Sequence, residues 1–281
     1  PPRKRIAPRL VALIAGLFLV AFLIVPIVLA VGSAFVHEGV PSFYWFERVF
    51  ANRLLMRELG NGIALAVTTT TLSLVIALPL AVIRARTRFR GQGIMGSLVL
   101  VPLILPPFVG ALAVRRIFGQ FGVLNLLLAR LHVIDLTAGV PPDWLGSGFT
   151  GVVILQVLHL FPIMYLNAAA ALANVDPAYT EASRNLGAGS VRTLFTITLP
   201  LIRPGLFAGG VIVFIWSFTE LGTPLMLGYY RVTAVQIFAG ITELETNPLS
   251  YSLVVILLVL SATCYAVSRL TLGRDPVAAM G

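Results

Sequence analysis

The chain has 281 residues, of which 58% are apolar and only 11% are charged, and its mean hydropathy is +0.96. Soluble domains carry about 25% charged residues, so there is too little charge here to cover a water-exposed surface, and an ordinary soluble enzyme is excluded. The net charge of +9 is therefore interpreted as a determinant of membrane topology, and no nucleic acid is expected as a partner.

The scarcity of particular residues excludes several kinds of chemistry. Lys4 is the only lysine, so the chain has no P-loop of the form GxxxxGK[ST], and ATP chemistry must come from a partner. Cys264 is the only cysteine, which excludes an internal disulfide, a CxxC redox pair and a thiolate zinc site. The histidines, His37, His132 and His159, are too scattered for a metal-binding helix of the HExxH type. We expect no catalytic residue, metal site or bound cofactor in this chain.

Six apolar stretches are long enough to cross a bilayer as helices. They predict an all-α membrane protein with spans at residues 9–33, 60–83, 94–114, 150–173, 204–227 and 250–271. The first stretch follows Arg3, Lys4 and Arg5, as the core of a signal peptide would. Its apolar run of about 22 residues exceeds the 7–15 of a signal core, so we expect an anchor that is not cleaved.

The distribution of positive charge predicts the orientation of the spans. If the N-terminus is inside, the inner segments contain 13 of the 20 arginines and lysines but only three of the 11 acidic residues. The outer segments carry seven basic and seven acidic residues, and one further acidic residue, Glu220, lies inside a span. By the positive-inside rule, both termini are expected in the cytoplasm.

Two outer segments carry apolar residues of their own. The aromatic run at residues 43–46, within the 34–59 segment, is typical of a membrane-interface anchor. Residues 123–131 are expected to form a short amphipathic helix along the same surface. We interpret both segments as anchors rather than as binding sites.

Proline content singles out the third span. Pro102, Pro106 and Pro107 lack the backbone N–H group that a helix uses, so this span is expected to be kinked or broken. A broken helix suits a moving gate, but a static kink fits the same residues, and the sequence leaves both open.

Three strongly polar side chains lie within spans, where a charged group at the bilayer centre costs about 2.5–3.5 kcal/mol. Gln156 and His159 share a face of the fourth span, and Glu220 lies roughly 24 Å along the fifth span, in its outer half. Two interpretations stay open: the three line a translocation pathway, or they bond to neighbouring helices and stabilise packing. The threonines at 68–71 are expected to make packing and backbone bonds.

The inner loop at residues 174–203 has the clearest local pattern. Asp176 followed by Pro177 predicts a helix start, because the carboxylate accepts from free N–H groups and proline has no N–H to lose. A helix is expected over residues 177–186, and Gly187 is expected to end it in the left-handed conformation.

A second short helix is expected in the same loop. Ser190 is predicted to cap it, and it should continue through Thr198 and be closed by Pro200. The loop would then consist of two short helices at an angle, held against the inner membrane surface.

This loop also carries a motif. Its spacing, Glu-Ala-Ser, three residues, Gly, nine residues, Ile, one residue and Leu-Pro, resembles the EAA signature of the permease subunits of binding-protein-dependent ABC importers. One position departs from that signature, where serine replaces alanine. The matching residues are Glu181, Ala182, Ser183, Gly187, Ile197, Leu199 and Pro200.

The resemblance implies a type I ABC importer permease in the bacterial inner membrane, with this loop as the coupling helix that docks on a cytoplasmic ATPase subunit. Glu181 would pair with a basic group of that subunit, Ala182 and Ser183 would allow close approach, and Gly187 would make the turn. The implied partners are two ATP-binding cassette subunits that hold ATP and Mg, a second identical or related permease subunit, and an extracytoplasmic solute-binding protein.

Residues 102–107, 118–125 and 218–224 are similar, less specifically, to the permease branch that serves ferric iron, polyamines, sulfate-type anions and aminoethylphosphonate. This similarity implies a small, polar or charged solute. An alternative from another class is an ion-coupled secondary transporter with Glu220 as its titrating carboxylate. An intramembrane enzyme is not supported, because the spans contain no paired catalytic carboxylates, HExxH motif or Ser/His constellation.

Overall fold

The computed structural model describes residues 6–87, 89–136, 139–145, 148–240 and 248–272. Within these ranges, six helices are long and apolar enough to cross a membrane, which confirms the predicted all-α architecture. The chain forms two compact units, one of Pro1–Arg57 with Gln236–Leu260 and one of Glu58–Val235 with Ser261–Gly281.

The first unit opens with a long apolar helix. Helix α1 (Ile6–Leu19) continues through a π-helical segment (Val20–Ile24) into α2 (Val25–Ala34), so the first predicted span is helical throughout its length. The strands β1 (Val36–His37) and β2 (Val40–Pro41) then form an antiparallel hairpin.

Helix α3 (Tyr44–Ala51) follows the hairpin, and aromatic side chains join the two. The rings of His37 and Tyr44 stack with their centroids 3.9 Å apart. The indole nitrogen of Trp45 donates a hydrogen bond to the carbonyl of Val36 at 3.0 Å. Tyr and Trp rings in such a cluster are typical of membrane–water interfaces.

The remaining helices follow in chain order. They are α4 (Arg53–Arg86), α5 (Gln92–Ile104), α6 (Pro107–Phe118), α7 (Val123–Arg130), α8 (Phe149–Ala173), α9 (Pro177–Asn185), α10 (Ser190–Thr193), a second π-helical segment (Leu194–Thr198), α11 (Leu199–Thr219), α12 (Gly222–Met226), α13 (Thr233–Ala239) and α14 (Leu249–Leu272).

The core of the second unit is built on α8 and α11. Leu160, Met164 and Ala168 on α8 are buried in one cluster with Ile202 and Val213 on α11. Two alanines of α4, Ala77 and Ala81, belong to the same cluster. Burial of this apolar surface positions the fourth predicted span between its neighbours.

Two glycines let α8 and α11 approach closely. A Cβ atom added at Gly205 would lie 2.5 Å from the Cβ of Ala171, and one added at Gly209 would lie 2.8 Å from the Cβ of Asn167. Glycines four residues apart share one helix face, the arrangement through which membrane helices commonly pack. The Gly-x₃-Gly spacing of this pair is readable in the sequence, but it was not among the predicted features.

The third predicted span, residues 94–114, is divided between α5 and α6. The helical stretch long enough to cross a membrane here is Pro107–Arg130, which also includes α7, the segment predicted to lie along the membrane surface. Leu105 (φ −83°, ψ 129°) and Pro106 (φ −56°, ψ 136°) are extended and separate the two helices. Each precedes a proline, and a following proline disfavours the helical conformation of the residue before it. Of the two outcomes in the sequence prediction, a kink or a break, the structure has the break.

The fifth predicted span, residues 204–227, differs from the structure at both ends. The helix already begins at Ser190, because α10, the π-helical segment and α11 follow one another without interruption, and it ends at Thr219. Glu220 is extended (φ −71°, ψ 129°). The cause is Pro224, whose ring would collide with the carbonyl of residue 220 in an uninterrupted helix.

The second short helix of the inner loop is also corrected. Gly189, not Ser190, is the N-cap residue of α10, and no side chain caps this helix. Pro200 does not close the loop, because it lies in the first turn of α11, where a proline is tolerated. The predicted loop at residues 174–203 therefore runs into the N-terminal part of the helix Ser190–Thr219 rather than ending in a separate helix.

Candidate functional site

Local chemistry sets both ends of α9. Oδ1 of Asp176 accepts a hydrogen bond from the backbone N–H of Ala178 at 2.8 Å, and Pro177 is the first helical residue. Gly187 has a φ of +80°, and the N–H of the next residue, Ala188, donates to the carbonyl of Ser183 at 3.0 Å. This is the left-handed helix ending that glycine favours.

The signature residues on α9 divide into exposed and buried ones. Glu181 and Ala182 are exposed, and Leu186 at the end of the helix is 88% exposed. Ser183 is buried, and its Oγ lies 2.8 Å from Oγ1 of Thr193 on α10. Ser183 therefore holds α9 to the next helix and does not lie on the exposed surface where a partner would approach. Of the other signature residues, Ile197 lies in the π-helical segment, and Leu199 and Pro200 open α11.

A second group of polar residues lies where the fifth span breaks, and Gln156 is at its centre. This side chain is 2% exposed. Its Oε1 accepts from Oγ1 of Thr69 at 3.2 Å and from Oγ of Ser217 at 2.5 Å. Its Nε2 donates to Oε2 of Glu220 at 3.0 Å and to the carbonyl of Ser217 at 3.4 Å. All four hydrogen-bonding positions of the amide are used, which fixes its orientation.

Glu220 links this group to α12. While its Oε2 accepts from Gln156, its Oε1 accepts from the backbone N–H of Thr223 at 2.8 Å. The carboxylate thus satisfies a free N–H in the first turn of α12, where negative charge is favourable. Among the described residues, no basic side chain forms an ion pair with Glu220.

His159 satisfies a carbonyl that the break in the third span leaves free. In a continuous helix the carbonyl of Pro102 would accept from the N–H of residue 106, but residue 106 is a proline and has none. Nδ1 of His159 lies 3.0 Å from this carbonyl oxygen. A carbonyl only accepts, so Nδ1 carries the proton in this contact. The ring of Trp216, on α11, lies nearly parallel to the imidazole, with the centroids 6.5 Å apart.

The breaks in the third and fifth spans lie side by side. A Cβ atom added at Gly222, the first residue of α12, would lie 3.3 Å from the Cβ of Phe108 on α6. A cavity of about 50 Å³ opens at this junction. It is lined by Pro107, Gln156, His159, Leu160, Trp216, Glu220 and Thr223. The structure therefore brings together Gln156, His159 and Glu220, the three intramembrane residues singled out in the sequence.

Sequence reasoning missed two members of this group, Thr69 and Ser217. Thr70 and Thr71 donate to backbone carbonyls one turn earlier, at 2.7 Å and 2.8 Å, as expected for threonines in membrane helices. Thr69 points instead to Gln156, and no local signal distinguishes it from its neighbours. The partner of His159 is different, because Pro106 has no backbone N–H. The sequence alone therefore predicts that the carbonyl of Pro102 must accept a hydrogen bond from another group.

A larger cavity, of about 490 Å³, lies at the C-terminal end of α6. Its lining includes Arg115, Arg116 and Asp143. Nη1 of Arg115 donates to the carbonyl of Met226 at 2.8 Å, so this arginine secures the end of α12. Nearby, burial raises the pKa of the Tyr229 phenol, against a smaller lowering by the positive charge of Arg231.

The chain is similar in sequence to transport proteins of known families. Over 157 residues the chain is 34% identical to a probable molybdenum ABC transporter permease protein of Haloferax volcanii, covering 56% of this chain and 53% of that protein. Over 269 residues it is 30% identical to a ferric transport system permease protein of Actinobacillus pleuropneumoniae, covering 94% of this chain and 38% of that protein. The chain thus spans about half the length, or less, of these curated relatives.

The fold is also found in solved structures. A chain of a bacterial alginate ABC transporter, solved in complex with an alginate pentasaccharide-bound periplasmic protein, matches with a TM-score of 0.72 and 17% identity, over 93% of this chain and 92% of that chain. At this identity the match shows the fold alone, that of an ABC importer permease.

The family itself is identified by sequence. A model described as the binding-protein-dependent transport system inner membrane component matches residues 73–272, a range that contains the whole inner loop together with Gln156, His159 and Glu220. This confirms the resemblance drawn from the EAA signature and, with the ferric permease as a relative, the suspected branch. The chain belongs to the family of inner membrane components of binding-protein-dependent transport systems.

Proposed function

We propose that this chain is the transmembrane permease subunit of an ATP-driven ABC importer, which forms the solute pathway and couples it to ATP hydrolysis in a partner. The observation that carries the proposal is the exposed α9, where Glu181 and Ala182 stay open to solvent next to the left-handed turn at Gly187. The uninterrupted helix Ser190–Thr219 leads from there to the break at Glu220. A docking surface and a polar break at opposite ends of one helix are suited to energy coupling.

The partner that docks on α9 would be a cytoplasmic ATP-binding cassette subunit, which holds ATP and Mg. Glu181 would pair with a basic group of that subunit, since it is exposed and forms no ion pair within the described residues. The permease chain itself would catalyse no covalent change.

The complete importer would contain two such ATPase subunits, a second permease subunit and an extracytoplasmic solute-binding protein. Six spans in one subunit give half of a pathway, which supports a second copy of this chain or a related permease. The family description, a component of binding-protein-dependent transport, supports the binding protein.

The junction of the two helix breaks would form the gate of the pathway. Gln156, His159 and Glu220 provide the polar groups there, in a cavity of about 50 Å³. Broken helices are tolerated at membrane depth where their free backbone groups face protein or a water-filled cavity. The sequence left two roles open for these residues, lining the pathway and bonding to neighbouring helices. In this proposal the same three residues do both.

The transported solute would be small and polar or charged. Relatives named for molybdenum and ferric iron support an inorganic ion or a solute of similar size, such as a phosphonate or polyamine. Ligand binding by the partner solute-binding protein would identify it most directly.

We further propose that the chain lies in the inner membrane with both termini and α9 in the cytoplasm, as the positive-inside bias predicts. Leu186→Cys on a Cys264→Ser background offers an exposed thiol on α9. A membrane-impermeant thiol reagent should label it in inverted membrane vesicles and leave it unlabelled in intact spheroplasts. Labelling in spheroplasts but not in inverted vesicles would contradict this orientation and place α9 outside the cytoplasm.

The competing function is ion-coupled secondary transport through Glu220. Co-expression with candidate ATP-binding cassette subunits, followed by purification through a tag on the permease, separates the two. A stoichiometric ATPase partner and ATP-dependent uptake in proteoliposomes would support the importer. Uptake by the isolated chain under a proton or sodium gradient would contradict it.

A further inference from the structure

Arg86 joins α4 to α10 and to the π-helical segment that follows α10. It is the last residue of α4. Its Nη1 donates to the carbonyl of Ser190 at 3.2 Å, and its Nη2 donates to Oγ1 of Thr198 at 2.7 Å. The partners lie 104 and 112 residues away in the chain, so these bonds connect elements that the sequence alone does not place together.

One acceptor of Arg86, the carbonyl of Ser190, precedes a π-helical segment, and the other, the hydroxyl of Thr198, belongs to its last residue. The π-helical segment Leu194–Thr198 ends with the N–H of Leu199 bonded to the carbonyl of Leu194, five residues back. Thr198 also donates to the carbonyl of Thr193 at 3.4 Å, again across five residues. Such turns are rare, occur mostly as single turns inside α-helices and are frequent at functional sites. Arg86 therefore braces the π-helical turn that connects α10 to α11.

The guanidinium group makes these contacts without a carboxylate. Its acceptors are a backbone carbonyl and a hydroxyl group, so both contacts of Arg86 are charge-assisted bonds to neutral oxygens. Arginine suits this role because its planar group presents several donors in a fixed geometry. A lysine at this position would carry a single ammonium group, which lacks the separate, fixed donors that Arg86 directs at the two acceptors.

The braced turn is in turn connected to α9. Thr193 on α10 lies 2.8 Å from the buried Ser183 through their hydroxyl oxygens, and its Oγ1 also donates to the carbonyl of Gly189 at 3.1 Å. A continuous set of hydrogen bonds thus runs from α4 through Arg86 and α10 to the helix that carries Glu181, while the exposed side of that helix stays free.

We infer that Arg86 is a positioning residue for energy coupling: it keeps the π-helical turn rigid, so that movement of α9 is passed to α11 and α4 together. This inference rests on the proposed function. Arg86 itself would touch neither the solute nor the ATPase. Without it, the π-helical turn would absorb part of the movement as a local rearrangement.

The test uses the complete importer in lipid nanodiscs, with its ATPase subunits and solute-loaded binding protein. Three variants are compared. Arg86→Gln removes the guanidinium group, and Thr198→Val removes one of its acceptors together with the 3.4 Å bond from Thr198 to the carbonyl of Thr193. Arg90→Gln removes a neighbouring exposed charge and serves as the control. The ratio of solute-stimulated to unstimulated ATP hydrolysis should fall about tenfold in Arg86→Gln and about threefold in Thr198→Val, as expected for loss of both bonds of Arg86 or of one of them. Arg90→Gln should keep the wild-type ratio.

A distance measurement distinguishes positioning from a general loss of stability. Spin labels at residues 89 and 186, both exposed in the chain, report the separation of the inner end of α4 from α9 on a Cys264→Ser background. Arg86→Gln should broaden this distance distribution, Arg86→Lys should restore it in part, and Arg90→Gln should leave it unchanged. If the Arg86→Gln complex does not assemble, the ATP hydrolysis ratio and the distance distribution are both measured in Thr198→Val instead.

The outcomes separate the two proposals. A wild-type ratio and distance distribution in Arg86→Gln, or in Thr198→Val if the former does not assemble, would overturn the role of Arg86 while leaving the importer assignment intact. A wild-type complex that binds no ATPase, or whose ATP hydrolysis does not respond to solute-loaded binding protein, would overturn the proposed function and this inference with it.

Discussion

The carboxylate of Glu220 is held by the side-chain amide of Gln156, with Oε2 and Nε2 3.0 Å apart. The two residues come from different predicted spans and meet where the fifth span breaks. The same amide binds hydroxyl groups on α4 and α11, so one buried side chain joins three helices at the proposed gate. An acid that the sequence marks as costly in a membrane is thus stabilised by hydrogen bonds from Gln156 and from the first turn of α12.

Replacing Gln156 should destabilise the permease strongly. Gln156→Leu leaves Thr69, Ser217 and Glu220 without their partner, and each buried polar group without a hydrogen bond costs about 1–3 kcal/mol. The unfolding temperature of the purified complex should fall by at least about 5 °C. Thr71→Val is the matched control, because the hydroxyl it removes is exposed and bonded only to its own helix. Equal unfolding temperatures for the two variants would show that the Gln156 bonds do not stabilise the fold.

Substitutions at Glu220 separate a helix-capping role from a titrating one. Glu220→Gln keeps an oxygen that can accept from the N–H of Thr223, whereas Glu220→Leu removes it. We expect Glu220→Gln to retain solute uptake within about threefold of wild type, the effect of one weakened hydrogen bond, and Glu220→Leu to lose most of it. Uptake would be measured in proteoliposomes containing ATP. Complete loss in Glu220→Gln with normal assembly would instead favour proton or ion coupling at this carboxylate.

His159 should be replaceable by a residue that still donates to the carbonyl of Pro102. His159→Asn places an amide N–H near the position of Nδ1, and His159→Leu removes the donor. The leucine variant should be less stable by about 1–3 kcal/mol, the cost of a free buried carbonyl, and the asparagine variant should recover much of this. Thermal unfolding of both variants provides the comparison. If leucine were tolerated as well as asparagine, the broken third span would not depend on this bond.

The close approach of α8 and α11 can be tested with adjacent glycines. Gly209→Ala forces a methyl group to within 2.8 Å of the Cβ of Asn167, and such overpacking typically costs about 1–3 kcal/mol. Gly210→Ala meets its nearest side-chain atom, in Thr70, at 3.7 Å, an ordinary contact. The first variant should lower the unfolding temperature and the yield of assembled complex, and the second should change neither. Equal unfolding temperatures and yields for the two variants would show that stability does not depend on the close approach of α8 and α11.

Local sequence chemistry predicted those features that depend on a few neighbouring residues. Asp176 with Pro177 indicated where α9 begins, and Gly187 indicated where it ends. The end of the fifth span could also have been read from Pro224, since a proline excludes its own N–H and clashes with the carbonyl four residues earlier. The predicted fifth span, residues 204–227, nevertheless ran through this proline without a break.

The long-range contacts had no such signal. Thr69 and Gln156 are 87 residues apart, and Arg86 and Thr198 are 112 residues apart. One threonine in a run of four, or one arginine in a basic loop, does not reveal its partner, because the choice depends on how α4, α8 and α11 pack. The resemblance to the EAA signature identified the loop, but it assigned Ser183 to an external contact, whereas packing against α10 buries it.

The most direct test of the coupling role is the ATP hydrolysis of the assembled importer carrying Glu181→Arg. This change reverses the exposed charge on α9, so solute-stimulated hydrolysis should be abolished while the permease still folds and resists thermal unfolding as the wild type does. Glu47→Arg is the control, since it makes the same change at an exposed position of α3. Solute-stimulated hydrolysis at the wild-type rate in the Glu181→Arg complex would contradict the assignment of α9 as the coupling helix.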